Sequence, residues 1–266
     1  MDRVAISIGS INIYWYSLCI AIGVFFGILL MLKEAKRHNV SKDFMLDAVL
    51  WGLPLGIIGA RIYYVIFSWD YYKNNLVDIV KINEGGLAIH GGIIVGLLFA
   101  YLYSKKKGYN PFRVLDIVSV SFIVGQIFGR WGNFFNKEAH GGKVTLSFLE
   151  KIRLPNFIIE GMYINGSYYH PTFLYESMWN VLGLVLLIFY RKLKCVKLGE
   201  MTLLYLMWYS VGRFFIESLR TDSLMLGEFR VAKLISAGLF LVATTIFIII
   251  KLKANKLYNE GANNED

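Results

Sequence analysis

A chain of 266 residues that is 56% hydrophobic and only 18% charged falls well short of the roughly 25% charged residues of an average soluble domain, and its mean hydropathy of +0.50 indicates a polytopic membrane protein. The net charge of +9 does not indicate nucleic acid. Its positives gather in four short loops, KEAKRHNVSK, KKKGYNPFR, RKLKCVK and KLKANK, as the positive-inside rule asks of a membrane chain.

Seven apolar segments follow in chain order, over about residues 12–32, 44–67, 87–104, 114–135, 171–190, 200–219 and 231–250, each near the 17 to 25 residues that a spanning helix needs. The expected fold class is an all-α polytopic membrane protein of seven transmembrane helices with a small extracytoplasmic head. The first run reads as a retained helix rather than a signal peptide: Asp2 offsets Arg3, the positives come after it, and no small-residue cleavage site follows. With the basic loops inside, the N-terminus is outside and the C-terminus cytoplasmic. Residues 1–135 then hold helices one to four, 136–170 the head, 171–250 helices five to seven, and 251–266 a disordered tail.

The outer connections are 68–86, 136–170 and 220–230. In the middle one, Asn165-Gly166 between β-type residues predicts a two-residue hairpin. The pairs Gly23/Gly27, Gly52/Gly56, Gly92/Gly96 and Gly125/Gly129 predict close helix packing, and Pro54 a bend in the second helix. Cys19 and Cys195 lie too far apart in depth for a disulfide and make no metal site.

Depth singles out the functional candidates. At 1.5 Å per residue, Arg130 lies about 24 Å from the inner end of its helix, Arg61 about 25 Å and Arg213 about 20 Å. His90 and Tyr16 stand near the outer ends of theirs. Polar groups on five helices therefore share the outer third of the bilayer. An arginine at the bilayer centre costs roughly 2.5–3.5 kcal/mol on insertion scales, so such residues should face a polar cavity with partners. Tyr209, Arg213, Glu217 and Arg220 form one stripe on the sixth helix, and Arg130, Asn133 and Asn136 share a face of the fourth, with Glu138 just beyond. The bland alternatives are an Arg213–Glu217 pair that merely eases insertion, a snorkelling Arg130 at a helix end, and a paired or snorkelling Arg61. His38 is expected in solvent in an inner loop, and His140 and His170 to be structural.

The sequence contains no HExxH, GxSxG, P-loop or dinucleotide fingerprint. What remains is arginines, whose planar fork suits a phosphate, and an imidazole able to take a proton near neutral pH. Together they suggest a reaction on an anionic phospholipid headgroup in the outer leaflet. A transporter or flippase for an anionic solute or lipid is the rival; the lack of an internal repeat and the outer position of the polar groups speak against it.

The motif GRWGNFFNKEAHGG (129–142) resembles the signature of the prolipoprotein diacylglyceryl transferase family of bacterial inner membranes. The likeness extends to IYWYSL around Tyr16, GARIYYV around Arg61, GGLAIHGG around His90, HPTFLYE (170–176) and YSVGRFFIESLRTD (209–222). It implies seven transmembrane helices and transfer of the sn-1,2-diacylglyceryl group of phosphatidylglycerol to the lipobox cysteine thiol of a preprolipoprotein, releasing glycerol phosphate, with no cofactor. The implied partners are phosphatidylglycerol, lipobox peptides and the lipid bilayer. By the same resemblance Arg130 and Arg213 hold the phosphate and His90 is the candidate thiol base. If the arginines alone depress the thiol pKa, His90 instead positions the substrate. Asn133, Asn136, Glu138, Gly141, Tyr16, Arg61, Tyr209, Glu217 and Arg220 shape the substrate pocket. Lys233 stands where the family pattern favours glutamine.

Overall fold

The computed structural model describes residues 3–9, 11–82, 85–253 and 256–259. Helices stand at all seven segments: α1 (Trp15–Arg37), α2 (Lys42–Phe67), α4 (Ile89–Lys106), α5 (Pro111–Asn136), α8 (Thr172–Tyr190), α9 (Glu200–Ile216) and α10 (Val231–Lys253). Among the described residues five of them, α1, α2, α5, α8 and α10, are long and apolar enough to cross a membrane; α4 and α9 are 18 and 17 residues long. Many large apolar side chains on these helices are exposed, among them Leu50, Phe67, Phe189 and Leu241. A water-soluble protein rarely shows such a surface, and a bilayer supplies its solvent.

The chain divides into two compact units, one built from Met1–Met31 and Asp116–Glu260, the other around Leu32–Leu115. In the second unit α2 starts at the Ser41 cap, whose hydroxyl accepts from Phe44 N at 3.4 Å. The helix then runs unbroken through Pro54. It packs on α4 through glycines, with Gly56 and Gly92 of the expected pairs in the contact together with Gly59 and Gly91. A Cβ on Gly59 would come within 2.8 Å of the Gly91 carbonyl, and one on Gly92 within 3.1 Å of the Gly56 carbonyl, while Gly96 meets nothing. The connection 68–86 carries a short helix α3 (Trp69–Tyr72) and a 3-10 turn (Leu76–Val80). His38 is not in solvent. Because α1 runs on to Arg37, Glu34 and His38 fall one turn apart on one face. His38 is buried, with Nε2 3.4 Å from Glu34 Oε1 and Nδ1 3.2 Å from Arg113 Nη1.

In the first unit Gly23 and Gly27 of α1 pack closely, as expected, and the partner is α5: a Cβ on Gly23 would lie 3.2 Å from Gly125 Cα, and one on Gly27 3.3 Å from Ser121 O. Val120 and Ile123 of α5, Leu187 of α8, and Met201 and Tyr205 of α9 form its core. Buried Asp116 fixes the start of α9, accepting from Gly199 N at 2.6 Å, Thr202 N at 2.9 Å and Thr202 Oγ1 at 2.7 Å. Residues between α5 and α8 fold into short helices α6 (Leu146–Lys151) and α7 (Asn156–Gly161) and strands β3 (Lys143–Val144), β4 (Tyr163–Ile164) and β5 (Ser167–Tyr169), in sheet order β3-β5-β4. The Asn165-Gly166 hairpin is present, with φ of 46° and 80° at the two turn positions, as a type I′ turn requires.

Three expectations are corrected. The fold carries two further hairpins, β1 (Val4–Ile8) with β2 (Ile11–Tyr14) and β6 (Met225–Leu226) with β7 (Phe229–Arg230). Helix α1 therefore starts at Trp15, since the alternating INIY pairs across Gly9 with VAISI. The sixth helix tightens to a 3-10 turn over Glu217–Leu219. The tail is not wholly disordered: α10 reaches Lys253, Tyr258 is fully buried with its N–H on Val196 O at 2.8 Å, and Asn259 Nδ2 donates to Arg191 O at 3.0 Å. The rest of that segment, 254–255 and 260–266, lies outside the described residues.

Candidate active site

Helices α8 and α9 are locked in register by two tryptophans. Trp179 and Trp208 stack at 4.2 Å, and each indole N–H donates to the other's carbonyl at 2.9 Å. The rings fit because Gly183 and Gly212 carry no side chains. A Cβ on Gly183 would also reach Ile123 Cδ1 at 2.9 Å, and one on Gly212 would meet the Trp179 ring. This register sets Glu176, near the start of α8, opposite Arg213 and Glu217 at the end of α9.

Glu176 is the hub. Its Oε2 lies 2.6 Å from Arg130 Nε on α5, and its Oε1 lies 3.5 Å from Arg213 Nη1 and 3.8 Å from Arg220 Nη1. Glu217 Oε2 pairs with Arg213 Nη2 at 2.8 Å, and Asp222 takes two bonds from Arg220 at 3.0 and 2.7 Å. Arg230 Nη1 donates to the Glu217 and Ser223 groups and, at 2.9 Å, to Arg220 O. A shallow open cleft is lined by Arg130, Glu176, Trp179, Asn180, Tyr209 and Arg213. The side chains of Arg130 and Glu176 are 22% and 8% exposed, so a cation edges the cleft and the acid lies behind it. Four guanidiniums meet three carboxylates here, leaving one net positive charge for an anionic ligand.

The comparisons with known proteins agree with this chemistry. The family model for prolipoprotein diacylglyceryl transferase matches residues 3–249. The chain belongs to the prolipoprotein diacylglyceryl transferase family. It is 51% identical over 258 residues to the phosphatidylglycerol–prolipoprotein diacylglyceryl transferase of Listeria monocytogenes serovar 1/2a, covering 97% of this chain and 93% of the relative. It is 50% identical over 264 residues to the enzyme of that name from Bacillus cereus strain G9842, covering 98% and 97%.

In this transferase-family chain the sequence candidates fall into three groups. Arg130, Tyr209, Arg213, Glu217 and Arg220 come together as described, and the Arg213–Glu217 insertion pair coexists with the inter-helix contacts. Tyr16 packs its ring on Gly132, two residues beyond Arg130, where a Cβ would come within 2.7 Å of Cδ2. The second group sits around a second shallow cleft, lined by Asn133, Lys137, Glu138 and His140 among others. There Asn133 Nδ2 and Asn136 Nδ2 both donate to Glu138 Oε1, at 2.9 and 3.4 Å. Gly141 stitches this loop to the arginine turn. It pairs with Arg220, its N–H bonds His170 O at 3.0 Å, and Gly142 N reaches Leu219 O at 3.0 Å.

Arg61 and His90 form the third group, in the second unit. The five N–H groups of Arg61 go to backbone: Nε to Ile79 O at 2.9 Å, Nη1 to Gly85 O and Gly86 O at 2.7 and 2.8 Å, and Nη2 to Asp78 O and Lys81 O at 2.5 and 3.4 Å. Its guanidinium also lies 5.2 Å from the Tyr72 ring centroid. Arg61 is therefore a loop organiser, with no donor to spare for the substrate-binding role expected of it. His90 is exposed in the first turn of α4, its ring 6.2 Å from that of Tyr63.

Around the site the charges hold one another. Burial works against the Arg220 cation, but the Asp222 hydrogen bond and the charges of Asp222, Glu176 and Glu217 outweigh it and raise its pKa. Burial likewise pushes the Asp222 carboxyl up, and the Arg220 bond and charge more than reverse this, holding it below the usual range. Burial lowers the pKa of His170, whose Nδ1 lies 3.3 Å from the Tyr175 hydroxyl. Lys233 sits 4.8 Å over the Phe214 ring on α9. Sequence reasoning passed over Glu176, Asp222 and Arg230 as site residues. The signal for Glu176 was there: a lone acid in the apolar run FLYESMWN needs a partner as much as a buried arginine does.

Proposed function

We propose that the chain transfers the diacylglyceryl group of phosphatidylglycerol to prolipoproteins, as a membrane-embedded transferase. The finer reading is an sn-1,2-diacylglyceryl transfer to the lipobox cysteine thiol. It takes place in a bacterial cytoplasmic membrane spanned seven times, with the N-terminus and the 136–170 head outside and the C-terminus cytoplasmic. One observation carries it: guanidiniums from α5 and from the end of α9 converge on a single point in a cleft, where a phosphate would be gripped from several sides.

In this scheme the thiol sulfur attacks the glycerol carbon that carries the phosphate. An S–C bond forms, the C–O bond breaks, and glycerol phosphate leaves with the electron pair. The phosphate changes from a diester carrying one negative charge to a monoester that carries nearly two at neutral pH. Arg130 and Arg213 therefore bind the leaving group more strongly as the reaction proceeds, which lowers the barrier rather than merely tightening binding. A free thiol, with a pKa of about 8.5, is only a few per cent thiolate at neutral pH. His90 is the candidate to take its proton. Asn133 and Glu138 in the neighbouring cleft, with Asn136 bonded to Glu138, shape the pocket, as do Tyr16 against Gly132 and Tyr209 in the cleft of Arg130 and Arg213.

The test is reconstitution. Purified protein, phosphatidylglycerol vesicles and a lipobox peptide should give cysteine-dependent glycerol phosphate release and a diacylglyceryl mass gain, both lost in Arg130→Ala and Arg213→Ala. Folded wild-type protein that turns over none of several lipobox peptides would overturn the reading.

A further inference from the structure

Arg213 and Arg220 have carboxylates of their own close by in sequence, Glu217 at 2.8 Å and Asp222 at 3.0 and 2.7 Å. Arg130 does not. Among the described residues its carboxylate partner is Glu176, which reaches across from α8 to its Nε at 2.6 Å. The other contacts of Glu176 are loose, 3.5 Å to Arg213 and 3.8 Å to Arg220. One carboxylate thus sits where three guanidiniums point, the place at which a phosphate group would gain most from them. A carboxylate and a phosphate cannot both occupy it, because two anions a few ångströms apart in a half-buried cleft repel strongly.

Resting on the transferase reading above, we propose that Glu176 competes with the substrate phosphate for Arg130 and so limits how tightly the site holds its phosphate product. The chemistry requires such a brake. The departing monoester carries more charge than the diester that entered, so a cluster tuned to that charge would retain it and slow turnover. Glu176 returning to Arg130 displaces the product. Glu217 and Asp222 cannot serve, since each is fixed to a neighbour on its own turn, and Arg230 holds the Glu217 and Arg220 carbonyls in place.

Glu176→Gln keeps the shape and removes the charge, and Glu176→Asp keeps the charge and draws it back from Arg130. Both would be purified and titrated calorimetrically with glycerol phosphate and with inorganic phosphate, and assayed with phosphatidylglycerol vesicles and lipobox peptide. The expected result is about tenfold tighter glycerol phosphate binding in Glu176→Gln, a repulsion removed in a partly buried cleft. Glu176→Asp shifts the same way by less. KM for the lipid and kcat fall together in Glu176→Gln, and product inhibition strengthens. A purely structural Glu176 would instead raise KM and weaken anion binding. Inorganic phosphate should tighten alongside glycerol phosphate, because the competition is for the phosphate; tightening confined to glycerol phosphate would overturn the proposal. So would unchanged or weaker binding in variants that keep the wild-type helical signal, with Glu176→Asp deciding alone should Glu176→Gln not fold. Wild-type protein that binds neither probe would sink the phosphate-holding reading itself, a result distinct from failure of the competition.

Discussion

Arg230 offers a sharp test of how the arginine turn is built. The last turns of α9 leave carbonyls without intrahelical partners, and Arg230, at the end of β7, supplies a cation to the Glu217 and Arg220 carbonyls and to Ser223 Oγ. Hydrogen bonds from a charged donor contribute about 1.5–3 kcal/mol each when buried. Arg230 is only half-buried and water can replace part of the loss, so Arg230→Met should cost about 2–3 kcal/mol in total, most of it local to the turn. The activity should suffer more than the fold. Glu217 orients Arg213, and Arg220 faces Glu176, so a drift of about 1 Å in this turn is expected to lower kcat/KM about 100-fold. Arg230→Lys, which keeps the charge without the fork, should recover part of it. Initial rates of peptide mass gain across a range of phosphatidylglycerol concentrations give both parameters. An Arg230→Met variant with wild-type kcat and KM would refute the idea that this residue positions the turn.

Gly141→Ala would place a Cβ 2.5 Å from His170 Cβ and 3.0 Å from Leu219 O. Overpacking of about 1–3 kcal/mol and a large loss of transfer rate are expected, read by thermal melting and by the peptide assay. Arg61→Lys replaces five fixed donors by one point charge; about 3 kcal/mol of stability should go, with faster proteolysis of the 73–86 connection as the sensitive readout. For His170 the sign follows from burial, which lowers its folded-state pKa. As pH falls below about 6.5 the unfolded chain takes up a proton that the folded one resists. Its contribution is thus complete above that value and is lost on acidification, and His170→Gln should flatten the acid limb of the melting-temperature profile.

Composition and periodicity made the helices at the seven segments legible to within about five residues, because a long apolar helix leaves a long apolar trace. The hairpins left a weaker one. VAISI and INIY alternate, yet beside a helix of similar hydropathy the alternation is read as the helix start. Glycine spacing predicted close packing and caught Gly56 and Gly92, but it missed Gly59 and Gly91 and named no partner helix, since spacing within one helix does not fix its neighbour or the register against it. For the site, residues on one helix were readable as a stripe: Tyr209 and Arg213 needed only the helical repeat, whereas Glu217 and Arg220 lie past the end of α9, where a 3-10 turn carries them to the same site. Glu176 and Arg230 were not readable in that way, because their roles depend on which helices meet. Depth alone could not tell Arg61, fully used by backbone carbonyls, from Arg130, which reaches another helix.

Arg130 and Glu176 also answer whether the buried charges serve insertion or chemistry. If insertion were the whole purpose, intrahelical pairs such as Arg213–Glu217 would suffice, since each helix would enter the bilayer already compensated. Neither Arg130 nor Glu176 is compensated in that way. Three and four residues to either side of Arg130 stand Gln126, Ile127, Asn133 and Phe134, and around Glu176 stand Thr172, Phe173, Trp179 and Asn180. Each helix therefore carries an isolated charge until α5 and α8 meet, at a cost of roughly 2.5–3.5 kcal/mol per charge at the bilayer centre and less toward the interface. A pair of apolar residues would pack the same contact without that cost. The charge-reversed double variant Arg130→Glu with Glu176→Arg separates the two purposes. It restores an ion pair between the same helices, so the protein should insert, melting somewhat below wild type because the Glu176→Arg cation also faces Arg213 and Arg220. It should nevertheless fail to transfer diacylglyceryl, because the Arg130 guanidinium that would grip the phosphate from α5 is replaced by a carboxylate that repels it. A swapped protein with wild-type activity would reduce the pair to a structural contact and return the question of the phosphate site to Arg213 and Arg220.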